Sequence, residues 1–428
     1  MKCSPGRTGA ILSILLSILM VAGPAALGWN SFRGDPSNTG RTTTDLSDPL
    51  KGEVFLSWEF RADSSIGTAV IAEEGWCVFG TSNGTVYKLN SEFGSLEWSY
   101  NVGAPIFSTP LYIEETNDLA VCDSSGMVTA LSMEEGAQLW TFDTGSGKEI
   151  ISSPNGPGDM IYFGSYDSKF YSLKPDGTPS WDYIGCQGWI HTTPAVHDNN
   201  LYFGSCDGML RCLDALTGEH KWNFSAAYIP SSPAIMEGRI YFGSYDSNMY
   251  CLDAGDGELI WSTALGGDIQ SSPAVNAEKV MVGANDGLLY CLDAEYGSIE
   301  WTLDLGPSQL ETSPVIGGKL VYATCEQGLV MVHMGNGSIY RSFEYGDASE
   351  VSPSAYGSKV FFGDRNGYVR CLRQNIPVTD DDDGDDAFDI GREVSANRDM
   401  LFLALAVAII IGVILAVFWK RYRRIRKG

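Results

Sequence analysis

The chain has 428 residues, 44% hydrophobic and 19% charged, with 49 glycines, 11 tryptophans and a formal net charge of −25. That apolar share supports a folded core, and the glycines and tryptophans point to many tight turns around a recurring aromatic packing position. So negative a chain argues against nucleic acid as a partner, because phosphates are held by Lys and Arg.

In chain order, residues 1–28 read as a secretory signal peptide. Lys2 and Arg7 precede the apolar stretch Ala10–Val21, and Ala26-Leu27-Gly28 offers small residues for cleavage. The alternative is an uncleaved N-terminal anchor. A lead segment over 29–53 follows, and then a repeat takes over.

STP at 108–110, SSP at 152–154, TTP at 192–194 and SSP at 231–233 each open an apolar strand. The motif returns as SSP at 271–273, TSP at 312–314 and VSP at 351–353, with a degenerate GTA at 67–69. Each copy runs through a strand such as RIYFGS (239–244) to a turn pair: Asn83-Gly84, Asp207-Gly208, Asp286-Gly287 or Asn366-Gly367. Such pairs suit two-residue hairpins. A third strand of the MYCLD type follows, and a fourth opens with Trp98, Trp140, Trp181, Trp222, Trp261 or Trp301, with Tyr340 in the seventh copy. Four short strands in ~40–50 residues predict one propeller blade. Eight copies over 54–373 therefore predict an all-β, eight-bladed β-propeller of four-stranded antiparallel blades.

The eighth copy lacks a fourth strand. Val54–Ala62 supplies it, with Trp58 in register, so the N-terminal strand closes the ring and removes its open edges. The seven tryptophans are structural, wedged between neighbouring sheets. Cys212, Cys251, Cys291 and Cys371 recur at one repeat position as small buried residues. Nine of the ten cysteines lie after the signal, an odd count that leaves at least one free or intermolecular thiol.

Residues 374–399 read as an acidic disordered linker. Its Asp380–Asp383 run before Gly384 is a partial calcium loop, with Thr379 and Ile390 in place of the first Asp and closing Glu. Residues 400–419 carry no charge and, at 1.5 Å per residue, span roughly 30 Å as a transmembrane helix. The basic tail 420–428 assigns itself to the cytoplasm and the propeller to the outside of a single-pass cell-membrane protein, the alternative being a C-terminal sorting signal that is later cleaved.

CLDALTGEHKW (212–222) and CLDAGDGELIW (251–261) resemble the tryptophan-docking motif of the quinoprotein (PQQ-like) propeller family. WNSFRGDPSNTG (29–40) is similar to the opening of BamB-type repeat propellers. The resemblance implies the fold. Its dehydrogenase members imply PQQ and calcium over the channel, an adjacent Cys pair, acidic and Asn ligands and an Asp base. This chain has no adjacent Cys pair and no long insertions. The expectation is a non-catalytic binding or scaffold module for a protein or other cell-envelope ligand, without a cofactor. The alternatives are a PQQ/calcium dehydrogenase and a structural or glycan-binding envelope component.

No catalytic or metal-ligating set emerges. His191, His197, His220 and His333 lack metal spacing, and neither HExxH, GxSxG nor a phosphate-binding Gly loop occurs. What varies is the residue before each motif copy: Ile66, Phe107, Ile151, His191, Pro230, Gln270, Glu311 and Glu350. In a propeller this position falls at the channel mouth. His191, Gln270, Glu311 and Glu350 form its polar arc and the candidate ligand site, whose carboxylates favour a cationic ligand, a divalent ion or a basic peptide. The opposed reading is that these loops drift freely. Asn83, Asn223 and Asn336 open Asn-x-Ser/Thr sequons and are candidate N-glycosylation sites, with a turn role as the alternative for Asn83 and Asn336.

Overall fold

A computed structural model of the chain describes residues 31–47, 53–307, 309–345 and 351–374. Glu350, the signal at 1–28, the linker beyond Gln374, the apolar run 400–419 and the tail lie outside the described residues. Among the described residues no helix is long and apolar enough to cross a membrane.

The alternating apolar runs form eight separate antiparallel sheets, with strands following chain order outward from the axis. In the fifth blade these strands are Ala234–Met236, Arg239–Gly243, Asn248–Asp253 and Leu259–Ala264. The middle strands carry side chains buried on both faces, because each sheet packs between two others. The outermost strand alternates between exposed and buried, with only part of its surface covered. The core consists of eight hydrophobic clusters, one at each interface between neighbouring blades.

The recurring tryptophan builds those interfaces. Six of the seven indole N–H groups donate to a backbone carbonyl of the next blade: Trp58 to Ser91 O (3.0 Å), Trp98 to Met133 O (3.0 Å) and Trp140 to Pro175 O (2.9 Å). Trp181, Trp261 and Trp301 do the same to Ala215, Ala294 and Met334. The ring lies flat on a glycine of that next blade. A Cβ on Gly297 would come within 2.5 Å of the Trp261 ring, and Gly297 also holds φ at +71°. The four recurring cysteines lie directly across the strand pair from the tryptophan: Cys212 faces Trp222, Cys251 faces Trp261, Cys291 faces Trp301 and Cys371 faces Trp58. All nine described cysteines are free thiols.

The closing strand is where the repeat requires it. Val54–Arg61 pairs antiparallel with Tyr368–Gln374 as the outer strand of the eighth blade. Four details differ from the sequence reading. Arg341, not Tyr340, occupies the tryptophan register of the seventh blade, because Tyr340 is the extra residue of the bulge each fourth strand carries. The Asn-Gly and Asp-Gly pairs end three-residue loops rather than forming two-residue ones: Gly84 N donates to Thr81 O (3.0 Å), Thr81 N to Thr85 O (3.0 Å), and of the pair only the glycine has positive φ. The third blade has three strands, and its innermost strand shrinks to one bridge between Asn155 and Tyr162. There Pro157 lacks an N–H to continue the ladder. The seventh blade gains a fifth strand, Arg41–Thr42, parallel to Val315–Gly317.

Gly297→Ala should lower stability by about 1–3 kcal/mol from backbone strain alone, with the indole contact adding to it. Gly335→Ala, where a Cβ meets nothing within 4 Å and φ is not positive, should not destabilise. Chemical-denaturation midpoints of the two variants check this.

Candidate functional site

The serine-threonine motif opens the innermost strand, and each of its residues has a separate task. The first hydroxyl ties the strand to its own blade: Thr192 Oγ1 donates to Gly204 O (2.9 Å) and accepts the Gly204 N–H (3.0 Å). The second accepts from the preceding blade. Thr109 N donates to Ser153 Oγ, Thr193 N to Ser232 Oγ, Ser232 N to Ser272 Oγ, Ser272 N to Ser313 Oγ and Ser313 N to Ser352 Oγ, all at 2.9–3.0 Å. These bonds run from blade to blade around the axis. The proline leaves its carbonyl for a partner inside the channel.

That partner is the lead segment. Arg33 Nη2 donates to Pro273 O (3.2 Å) and Pro314 O (2.6 Å), and Asn38 Nδ2 is shared among Thr193 O, Pro194 O and Pro233 O. The backbone of the segment climbs one blade at a time, with Pro36, Ser37, Thr39 and Gly40 carbonyls accepting from Val196, Ile235, Val275 and Ile316. Burial lowers the Arg33 guanidinium to about 9, partly offset by the charge of Asp35. Burial likewise raises the Asp35 carboxyl, against the hydrogen bonds it accepts from Thr39.

With the lead segment inside it, the channel is a cup. Its cavity measures about 380 Å³ and Phe32 belongs to its lining. Phe107, Ile151, His191, Pro230, Gln270 and Glu311 line it as well, so the structure gathers these mouth positions around one space. Glu350 lies outside the described residues. Ile66 does not line the cup. It is buried against Gly363, in the same role as Ile269 against Gly243, so the first repeat runs one residue later than GTA suggests. Gly67 takes the mouth position and Thr68 the first hydroxyl, which accepts from Gly80 N (2.9 Å).

One side of the mouth carries an aromatic arc that the sequence reading missed. Tyr166 stacks on Trp189 (centroids 4.9 Å apart, 4° between planes) and meets His191 at 4.7 Å. His191 meets Tyr228 at 5.6 Å, and Tyr228 meets Tyr245 at 4.6 Å. Tyr166 Oη lies 2.9 Å from His191 Nδ1, and Tyr245 Oη donates to Gln270 Oε1 (2.7 Å). Burial raises the Tyr166 and Tyr228 phenols above their ordinary range. A signal for the arc existed. Tyr166 and Tyr245 share the repeat position after Gly-Ser, and Trp189 and Tyr228 share the position two residues before the mouth residue.

The other marked residues are dispersed. The tryptophans belong to the interfaces described above. Trp222 alone among the seven has an indole N–H without a hydrogen-bond partner. Asn83 and Asn336 are exposed in turns and cap them: Asn83 Oδ1 accepts from Thr81 Oγ1 (2.7 Å), and Asn336 Oδ1 from Ser338 Oγ (2.8 Å). Asn223 is exposed on an outer strand.

The cup's donor set does not suit a calcium-held quinone. Calcium asks for 6–8 oxygens with several carboxylates, and the described lining offers one carboxylate, Glu311. It also offers no Lys or Arg for an anionic quinone. Among the described residues no group of three or more His, Cys, Asp or Glu is placed to hold a metal ion.

A ring of eight blades locked by tryptophan on glycine defines the class of PQQ-like repeat propellers. The family model described as outer membrane protein assembly factor BamB matches residues 48–153, 124–235 and 229–373, and the chain belongs to that family. It is similar to outer membrane protein assembly factor BamB of Shewanella oneidensis, 26% identical over 178 residues covering 37% of this chain and 43% of the relative. For the Yersinia pestis protein of the same name the figures are 24%, 152 residues, 32% and 38%. The chain thus spans less than half the length of these curated relatives. Among solved structures it resembles BamB from Moraxella catarrhalis, with TM-score 0.66 and 17% identity over 75% of this chain and 100% of that one. It also resembles quinohemoprotein alcohol dehydrogenase from Comamonas testosteroni, with TM-score 0.72 and 13% identity over 90% and 87%. At such identities the likeness is one of fold.

Burial holds the His191 imidazole down to about 4. An unfolded histidine takes up its proton near 6.5. The unfolded chain therefore binds more protons below that pH, and this group subtracts stability as pH falls from about 6.5 to about 4. His191→Gln should flatten the decline of the thermal midpoint in that window. In the wild type, the NMR signals of His191 should stay unshifted between about pH 8 and pH 5.

Proposed function

We propose that this chain is a non-catalytic scaffold of the cell envelope, whose propeller binds a protein partner and whose apolar segment 400–419 anchors it to the membrane. The observation that carries the reading is the family match across the propeller, because the family model and the two relatives described above carry the name of an assembly factor. The minimal blades support it too. Short turns connect the strands, and the described lining of the cup lacks the carboxylate set that a quinone and calcium would ask for.

The fold likeness to a quinohemoprotein dehydrogenase favours a second reading, in which the cup takes a redox cofactor. The two readings part at the bench. In the scaffold reading, affinity capture from detergent-solubilised membranes returns a stoichiometric protein partner. Adding PQQ and calcium to the purified chain leaves its absorbance spectrum the sum of the components. Saturable quinone uptake with dye-linked alcohol oxidation would overturn the scaffold reading.

Topology gives a separate expectation. Protease applied to intact cells should shed the propeller while an epitope on 420–428 stays protected. A propeller that resists until the cells are broken would reverse the orientation. The sequons stand on the same footing: if the host glycosylates them, intact mass should exceed the bare polypeptide.

A further inference from the structure

The cup combines features that together define one ligand chemistry. Phe32, Phe107, His191, Tyr228 and Tyr245 present aromatic rings around its lining, and among the described residues no Lys or Arg lines it. Glu311, exposed in the same lining, is the carboxylate facing them. Further negative charge borders the arc. Asp268 accepts from Ser247 Oγ (3.1 Å) and, with Glu311, adds to the burial that raises the Tyr245 phenol. Of the basic groups nearby, Arg211 is bound by Asp207, with Nη2 to Oδ2 at 2.7 Å. Arg365 belongs to the eighth blade, away from the arc on blades three to five.

Aromatic faces attract cations through their quadrupole, most strongly where water is excluded and the cation lies within about 6 Å of a ring centre. The rings from His191 through Tyr228 to Tyr245 are in mutual contact, with centroids 4.6–5.6 Å apart, so a cation set against the arc comes within reach of two of them at once. The bonds from Tyr245 to Gln270 and between Tyr166 and His191 fix the rings before any ligand arrives, which reduces the entropy lost on binding.

We propose that the cup binds a cationic side chain, the ammonium of a lysine or the guanidinium of an arginine, presented by an extended segment of the partner. The cation lies against Tyr228 and Tyr245 and pairs with Glu311. This deepens the scaffold reading and rests on it for the identity of the ligand as protein.

The test titrates detergent-solubilised full chain by calorimetry with pentalysine amide, with the same peptide acetylated on every Nε, and with maltohexaose. The charged peptide should bind saturably and the other two should not. Tyr245→Leu should weaken binding about tenfold, as expected for loss of a desolvated cation–π contact. Tyr245→Phe, which keeps the ring, should stay within about twofold of wild type. Glu311→Gln should weaken binding and reduce its salt dependence. Gln270→Lys, which places a competing ammonium in the cup, should abolish binding without loss of the fold and serves if Tyr245→Leu proves unstable.

Equal binding of the acetylated peptide would overturn the proposal, as would binding of maltohexaose alone. So would pentalysine binding that all four variants leave unchanged, which would mark diffuse attraction to an acidic surface. Capture from membranes separates the two readings. A partner retained by Gln270→Lys after its peptide binding is lost keeps the scaffold and removes the cup from it. Peptide binding in a chain that captures no partner does the reverse.

Discussion

Everything in the ring depends on a tryptophan meeting a glycine. A propeller blade is a twisted sheet with two apolar faces, and alone it could not keep either from water. The indole solves this at one point in seven of the eight interfaces. Its flat face covers the glycine of the next blade, and in all but Trp222 its N–H satisfies a carbonyl there. The glycine has two reasons to be what it is, since a positive φ and an overlying ring each exclude a side chain. The slot across the strand pair from the indole takes the cysteines, Ala130 or Ser172, small groups in most blades.

At the inner radius a different problem arises. Eight strands converging on an axis bring polar backbone toward a space too narrow to be filled with bulk water. The motif hydroxyls answer at one level by bonding from blade to blade. The proline carbonyls of blades four to seven turn to the lead segment, Pro194 and Pro233 to Asn38, and Pro273 and Pro314 to Arg33. Sealing one level turns the channel into a cup and gives the mouth residues a floor with Phe32 in it. Structure and candidate site are therefore one construction, read at two heights.

The ring was legible because repetition multiplies weak signals. One SSP or one tryptophan means little, while eight spaced copies fix strand order, blade count and even the closing strand with Trp58 opposite Cys371. Errors fell where repetition thins. The first copy has no proline and few matching letters, and the sequence assignment slipped by one residue from Gly67 to Ile66. The seventh has no tryptophan, and Tyr340 was taken for Arg341 by the same margin. The mouth was legible as a set of positions, since those positions vary while their frame does not. The aromatic arc was not, because its rings come from three different repeat positions on three blades, and only the curvature of the ring brings them into contact. The path of the lead segment was illegible for another reason. It belongs to no repeat, and its partners lie 240, 281 and as far as 313 residues away.

That separation has a temporal meaning. Residues 33–40 leave the ribosome early, yet the carbonyls they bind belong to blades four to seven, made long afterwards. The closing strand 54–61 waits longer still, for 368–374. Two early segments are thus held unpaired while most of the chain is synthesised, one with a buried arginine in its final state and one with an open strand edge. Contacts of such span form slowly because their loops must close first. The finished ring has no free end at either closure, and its assembly cannot be completed from the N-terminus forward. It is locked from the last blade back onto the first residues, so a chain cut short before Tyr368 would leave the ring open and the closing strand with nothing to pair.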